Sequence, residues 1–205
     1  GADNRPNLPQ VRFDDEDVKA KEMAESFGAP VMMHSPPRPG SFRECLAKRK
    51  VPQVVYEGGQ ARLLEPAPVQ LAIRGTLAVM ASLGMIKAKR SGRPSTDSVF
   101  CHQSYWERAP RGGLFLPSVK LGDTIDRGQP LGNIGDPLGK KTTQILAQHP
   151  GVVIGQTRDA VVDEGDGIFH IGSTHRVEDV ADSIEAAEDH LEHGLDHVTF
   201  DEPLG

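Results

Sequence analysis

Glu57 is the side chain whose setting most calls for chemistry. It stands in Tyr56-Glu57-Gly58-Gly59, directly after the apolar run Val51-Pro-Gln-Val-Val55. That run predicts a buried strand over 51–56, with the carboxylate at its end. A carboxylate is costly to bury unless something uses it. Held near an electrophile or a metal, it can take and return a proton. The histidines offer a second chemistry. His190, His193 and His197 recur at i, i+3 and i+7, so a continuous helix would stack three imidazoles on one face, a set that suits zinc or nickel. Gly194 interrupts that helix and the interleaved Asp and Glu read as a solvated face, so the expectation there is an adventitious or empty site. His34 follows a short strand with no acidic partner at useful spacing, and His149 and His170 fall in turns or strands where a structural role is expected. Cys45 and Cys101 are in no metal spacing and read as free thiols of a reducing, cytoplasmic compartment.

The elements that must hold these groups are legible in outline. The chain has 205 residues, 37% hydrophobic and 25% charged, which fits a soluble globular protein with a real core. Its net charge of −6 argues against nucleic acid as a partner. Lys48-Arg49-Lys50 and the stretch 87–93 are short, lack aromatics and read as solvated surface. No apolar stretch approaches a membrane span, and no signal peptide is visible. Residues 1–10 are loop-like and lack an initiator Met, as expected of a trimmed or excised piece.

Residues 14–27 read as a helix, with the acids of Asp14-Asp15-Glu16-Asp17 suiting its dipole and Gly28 stopping it. A strand is expected over 29–33, and Ser41 can cap a helix running to about Lys50. Val69, Ile73, Leu77, Met80 and Leu83 predict a long amphipathic helix ending at Gly84. Alternation of helix and strand over residues 1–93 is α/β logic with a parallel sheet. Residues 94–172 lack helical period and carry two half-copies, Gly113–Ile134 and Gly151–Ile171, each a strand, a Gly-Asp turn and a second strand. They predict a small all-β barrel or sandwich. Residues 173–205 are acidic and helix-prone, with a stripe of Val177, Val180, Ile184, Ala187 and Leu191.

Several segments, in order, resemble the succinylglutamate desuccinylase/aspartoacylase family of zinc-dependent acyl-amino-acid hydrolases. They are Arg5-Pro-Asn-Leu-Pro-Gln-Val-Arg12, Ser41-Phe-Arg43, Val54-Val-Tyr-Glu-Gly-Gly59, Trp106-Glu-Arg-Ala-Pro-Arg-Gly-Gly-Leu-Phe115 and Val162-Asp-Glu-Gly-Asp-Gly-Ile-Phe-His-Ile-Gly172. The resemblance spans roughly residues 1–172. It implies a carboxypeptidase-like α/β domain followed by a β domain. It also implies a zinc ion, held by two His and one Glu, that activates water to attack the amide of a small N-acyl amino acid or related carboxamide. Glu57 matches the family's proton-transferring Glu, and Arg43 matches an arginine that binds substrate carboxyl or acyl groups, a task suited to a planar guanidinium. Arg5 and Asn7 are weaker candidates for the substrate pocket. The zinc ligands are expected in a His-x-x-Glu motif and a further His upstream of Gly1, since no His-x-x-Glu occurs in the chain. The chain therefore resembles the C-terminal portion of such an enzyme and is expected not to hydrolyse anything by itself.

Two other readings compete. The β region also resembles a lipoyl or biotinyl carrier domain, with Lys140-Lys141 near a hairpin tip, although those lysines lack the usual carrier context. Alternatively, the acidic tail recruits a partner or a second copy, making the chain an interaction protein or a homo-oligomer.

Overall fold

The computed structural model describes residues 4–87 and 98–174. The first part runs β1 (Asn7–Phe13), α1 (Val18–Phe27), β2 (Val31–His34), α2 (Phe42–Lys48), β3 (Val55–Gly59) and α3 (Pro66–Ser82). Asp17 caps α1, its carboxylate accepting from the N–H groups of Lys19 and Ala20, so the acidic run ends at the cap rather than entering the helix. Gly28 closes α1 in the left-handed conformation, and Ser41 caps α2 by accepting from Glu44 N–H.

Three expectations are corrected here. The N-terminal stretch expected to be loop contributes β1, the strand that joins the molecule together. Pro9 is tolerated in it because the pairing with β3 shifts register between Asn7 and Gln10. The strand expected over 51–56 begins only at Val55, is half-buried, and contains Glu57 rather than ending at it. It runs antiparallel to β1, although β1–β2 and β2–β4 are parallel as expected.

The third correction concerns α3. Its stripe of Val69, Ile73, Leu77 and Leu83 is exposed, and the helix instead buries Gly75 and Val79. The reason is Phe27. Its ring lies where a Gly75 Cβ would come within 2.4 Å of it, so α3 can approach α1 only along the face that has no side chain at that point. Phe27 also stacks on Tyr56 with ring centroids 5.2 Å apart. Val11, Phe13, Ala24, Met32 and Val79 complete the core on this side of the sheet.

The second part continues with β4 (Val99–Cys101), β5 (Gln103–Arg108), β6 (Gly113–Pro117), β7 (Thr124–Ile125), β8 (Pro130–Gly135), β9 (Thr142–Leu146), β10 (Gly151–Gln156), β11 (Val161–Val162) and β12 (Gly167–Ser173). The half-copies are visible as two units of long, short and long strand. The short strand of each pairs with the first long strand of the other: β7 with β10, and β11 with β6. In both Gly-Asp turns the glycine is left-handed (Gly122 at φ 88°, Gly165 at φ 91°). In both, the Asp carboxylate accepts from the N–H three residues earlier, at 2.9 Å.

Of the expected barrel or sandwich, the barrel is not met, since these strands do not close. They divide between a four-stranded sheet, β11-β6-β8-β9, and an eight-stranded sheet ordered β4-β2-β1-β10-β12-β5 with β3 on β1 and β7 on β10. Between the two sheets lies a core that includes Phe115, Leu131, Ile134, Ile145, Val153, Phe169 and Ile171. Burial of each such side chain contributes about 1.5–3 kcal/mol. The eight-stranded sheet takes strands from both sides of the 88–97 segment. Two pairs join the parts: β2 with β4, and β1 with β10, where Asn7 lies opposite Gly155. The helix expected in the tail, and with it His190, His193 and His197, lies outside the described residues.

Candidate active-site cleft

The joint between β1 and β10 opens on one side into a cavity of about 670 Å³. One wall comes from β1, β3 and the loop after β2. In the antiparallel β1–β3 pair, Gln10 faces Glu57 and Arg12 faces Val55. Asn7 and Arg12 are an odd number of residues apart and would point to opposite faces of a regular strand. The register shift between Asn7 and Gln10 lets both reach Glu57. Arg12 Nη2 lies 2.8 Å from Glu57 Oε2, and Asn7 Nδ2 donates to the same oxygen at 3.4 Å. Burial works against the charge on Arg12 and lowers its pKa, an effect the Glu57 carboxylate opposes. Arg38 reaches the cavity from the loop.

The other wall comes from β5 and β12, where Trp106 and His170 are cross-strand partners. Their rings stack at 4.6 Å between centroids and 4° between planes. His170 is buried, and burial, aided by the nearby Arg12 charge, pushes its pKa down to about 4. Its imidazole is therefore neutral at pH 7. Arg5 lies over the Trp106 ring, its guanidinium carbon 5.6 Å from the ring centroid.

The sequence-derived residues fall in different places. Glu57 is in the cleft, together with Arg5 and Asn7. Arg43 does not line it. Its guanidinium donates to the Ser35 carbonyl at 2.7 Å and to Ser35 Oγ at 3.3 Å, holding the loop that carries Arg38. It remains within electrostatic reach of Glu57, Arg12 and Asp14.

His34 does have an acidic partner. Parallel pairing sets Phe13 opposite His34, so the turn after β1 returns onto the imidazole and Asp15 Oδ1 lies 2.7 Å from Nδ1. Asp14, Asp15 and His34 are the one group of three potential metal ligands among the described residues. They supply one imidazole and two carboxylates, not two His and one Glu, and they do not line the cleft. The zinc set implied by the resemblance therefore does not fit the described residues.

Arg12, Arg38, Trp106 and His170 line the cleft and were not read as functional in the sequence, nor was Gln10, which pairs with Glu57 beside it. Trp106 and His170 meet only through strand pairing across 64 residues, which no local pattern reveals. Gln10 is completely buried beside Glu57, and neither its amide nitrogen nor its oxygen is hydrogen-bonded to the described residues. An uncharged polar residue inside an apolar run was its one available signal. His149 does not line the cleft, and its carbonyl accepts from the Tyr105 hydroxyl at 2.6 Å. Lys140 and Lys141 are exposed in the turn between β8 and β9, where the Asp136 carboxylate accepts from the N–H of Leu138 and Lys140. Among the described residues, no helix is long and apolar enough to cross a membrane.

No family model and no curated protein matches the chain. Solved structures do. A succinylglutamate desuccinylase/aspartoacylase from Rhodobacter sphaeroides is 22% identical, with a TM-score of 0.71 over 84% of this chain and 55% of its own. The ectoine utilization protein EutE from Ruegeria pomeroyi is 17% identical, with a TM-score of 0.76 over 85% of this chain and 58% of its own. A succinylglutamate desuccinylase from Silicibacter sp. is 18% identical, with a TM-score of 0.72 over 83% of this chain and 55% of its own. The fold is thus the one these structures share, as the sequence resemblance implies, and the chain spans little more than half their length.

Proposed function

We propose that this chain is the portion of a zinc-dependent amidohydrolase that carries the general acid/base and one side of the substrate cleft. The substrate would be a small N-acyl amino acid or related carboxamide. The observation that carries the reading is Glu57, a carboxylate held at 2.8 Å by Arg12 on the wall of an open cavity, in a fold shared with desuccinylase and aspartoacylase structures. The ion pair orients the carboxylate without enclosing it, since the Glu57 side chain remains 34% exposed.

In the hydrolysis, a water oxygen bonds to the amide carbon while Glu57 accepts the water proton. The same proton is then returned to the nitrogen as the C–N bond breaks, leaving a carboxylic acid and an amine, and transfer of the acid's remaining proton to the amine gives carboxylate and ammonium. Zinc, where the complete enzyme holds it, supplies Lewis-acid activation of water, and none of the described residues is assigned as its ligand. Arg43 supports the site by fixing the 35–40 loop and adding positive potential, and its role as a direct substrate anchor belongs to this proposal. The chain alone is expected to be inactive.

The test is steady-state hydrolysis of N-acyl amino acids by the complete, zinc-loaded enzyme carrying Glu57→Gln. We expect kcat to fall by about 10²–10⁴ with KM little changed. Near-normal turnover would remove Glu57 from catalysis.

A further inference from the structure

α3 is apolar nearly all the way round. Of its 17 residues only Gln70, Arg74, Thr76 and Ser82 are polar. A helix of that composition is normally covered on every side. Here it buries only Gly75 and Val79, with Gly75 against Phe27 of α1. Val69, Ile73, Leu77 and Leu83, with Met85 and Ile86 just after the helix, are 37–64% exposed. Among the described residues that stripe stays uncovered.

Charge is divided along the chain in a way that bears on the cover. Residues 66–96 hold Arg74, Lys87, Lys89, Arg90 and Arg93 and not one carboxylate. Residues 175–205 hold ten carboxylates and one arginine, a net charge of −9, which leaves +3 on residues 1–174. The negative charge of the chain is thus concentrated in its terminal segment, and its most apolar helix lies in a purely basic stretch.

We propose that the exposed face of α3 is the docking site of this chain's own residues 177–191, which lie outside the described structure. The inference does not depend on the chemistry at Glu57.

The two stripes are complementary in spacing, length and charge. Val177, Val180, Ile184, Ala187 and Leu191 follow one another at three, four, three and four, the spacing of a seam between packed helices. Val177–Leu191 and Val69–Leu83 each span 15 residues, about 22 Å of helix. The carboxylates lie between the seam residues, where Arg74 and the basic residues after α3 can meet them at the rim. The segment also leaves the fold on the correct side. Ser173, the last residue of β12, is opposite Gln103, directly after β4, and Phe100 of β4 packs against the same core cluster as Val79 of α3. A tethered segment reaches such a face at an effective concentration of about millimolar, so its own tail outcompetes a free partner of similar affinity.

The test is hydrogen–deuterium exchange of the full 205-residue chain, read on peptides from 177–191 and from α3. We expect amides in 177–191 to exchange about tenfold more slowly than in a free peptide of that sequence, or slower still, and independently of protein concentration. Ile184→Asp should remove this protection and speed exchange in α3. The double variant Ile73→Asp, Leu77→Asp, at positions already exposed, should release the tail from the other side. Unchanged emission from Trp106, the single tryptophan, checks that each variant keeps its fold. If the α3 variant does not fold, the effect of Ile184→Asp on the α3 amides decides. Unprotected tail amides in the parent chain would overturn the docking, as would tail protection that survives the α3 variant or an α3 that ignores Ile184→Asp. Protection that fades on dilution, with a dimer seen by light scattering, would give the face to a second copy and overturn it as well.

Discussion

The two walls of the cleft are built on different physics. The β1–β3 wall is ionic and partly wet, with Glu57 and Arg12 34% and 18% exposed. The β5–β12 wall is neutral and stacked, with His170 buried behind Trp106. A partly exposed ion pair contributes modestly to stability and remains open to rearrangement by a substrate. A packed stack contributes through dispersion and excluded water and resists change. The difference separates the part of the site available to move protons from the part that holds a shape.

That contrast is easiest to break at low pH. An unfolded imidazole takes its proton near the ordinary value of 6.5, whereas the folded His170 does so only near 4. The folded state is therefore favoured fully above the upper value and loses this advantage as pH falls through the window. At about 1.4 kcal/mol per pH unit the loss approaches roughly 3 kcal/mol. Urea melts at neutral pH and near the lower value, with His170→Gln as the control that flattens the difference, measure it. If both proteins lose stability equally, His170 is not a buried neutral group.

Packing gives the next effect. Gly167→Val drives a side chain into the indole and should cost about 1–3 kcal/mol, with a shift in tryptophan emission as the stack opens. Gln10 should show the opposite sign. Replacing its unbonded, buried amide by Met is expected to stabilise the isolated chain by about 1–2 kcal/mol. If the amide serves the reaction, the same change lowers kcat in the complete enzyme, the signature of stability given up for function. The smallest effect belongs to the ionic wall. Arg12→Gln should change stability by no more than about 1 kcal/mol, and a cycle with Glu57→Gln should return a coupling of the same size or less. A coupling several times larger would mean that the ionic wall is structural after all.

Much of the local structure was legible because its causes are local. Ser41 caps α2 through its own side chain, Gly28 ends α1 in the one conformation glycine adopts freely, and the two Gly-Asp turns repeat because the same short motif makes the same hydrogen bond. β1 was not legible. Pro9 and the loop-like residues before it hide a strand that is tolerated only because its partner shifts register. The face of α3 was misread for a related reason. Periodicity identifies an apolar stripe, but which stripe packs depends on the ring of Phe27, which arrives from another helix and needs the missing side chain of Gly75.

The site divides in the same way. Residue type and neighbours singled out Glu57, and the order of short motifs pointed to the fold. Its ion pair with Arg12, the second wall from Trp106 and His170, and the meeting of Asp15 with His34 all depend on strand register and on the joint between β1 and β10. A sequence by itself determines what each side chain can do and how the chain bends within a few residues, because those energies are set by adjacent atoms. Which groups face one another is set by long-range packing, where many small contact energies select one arrangement, and only the tertiary structure decides it.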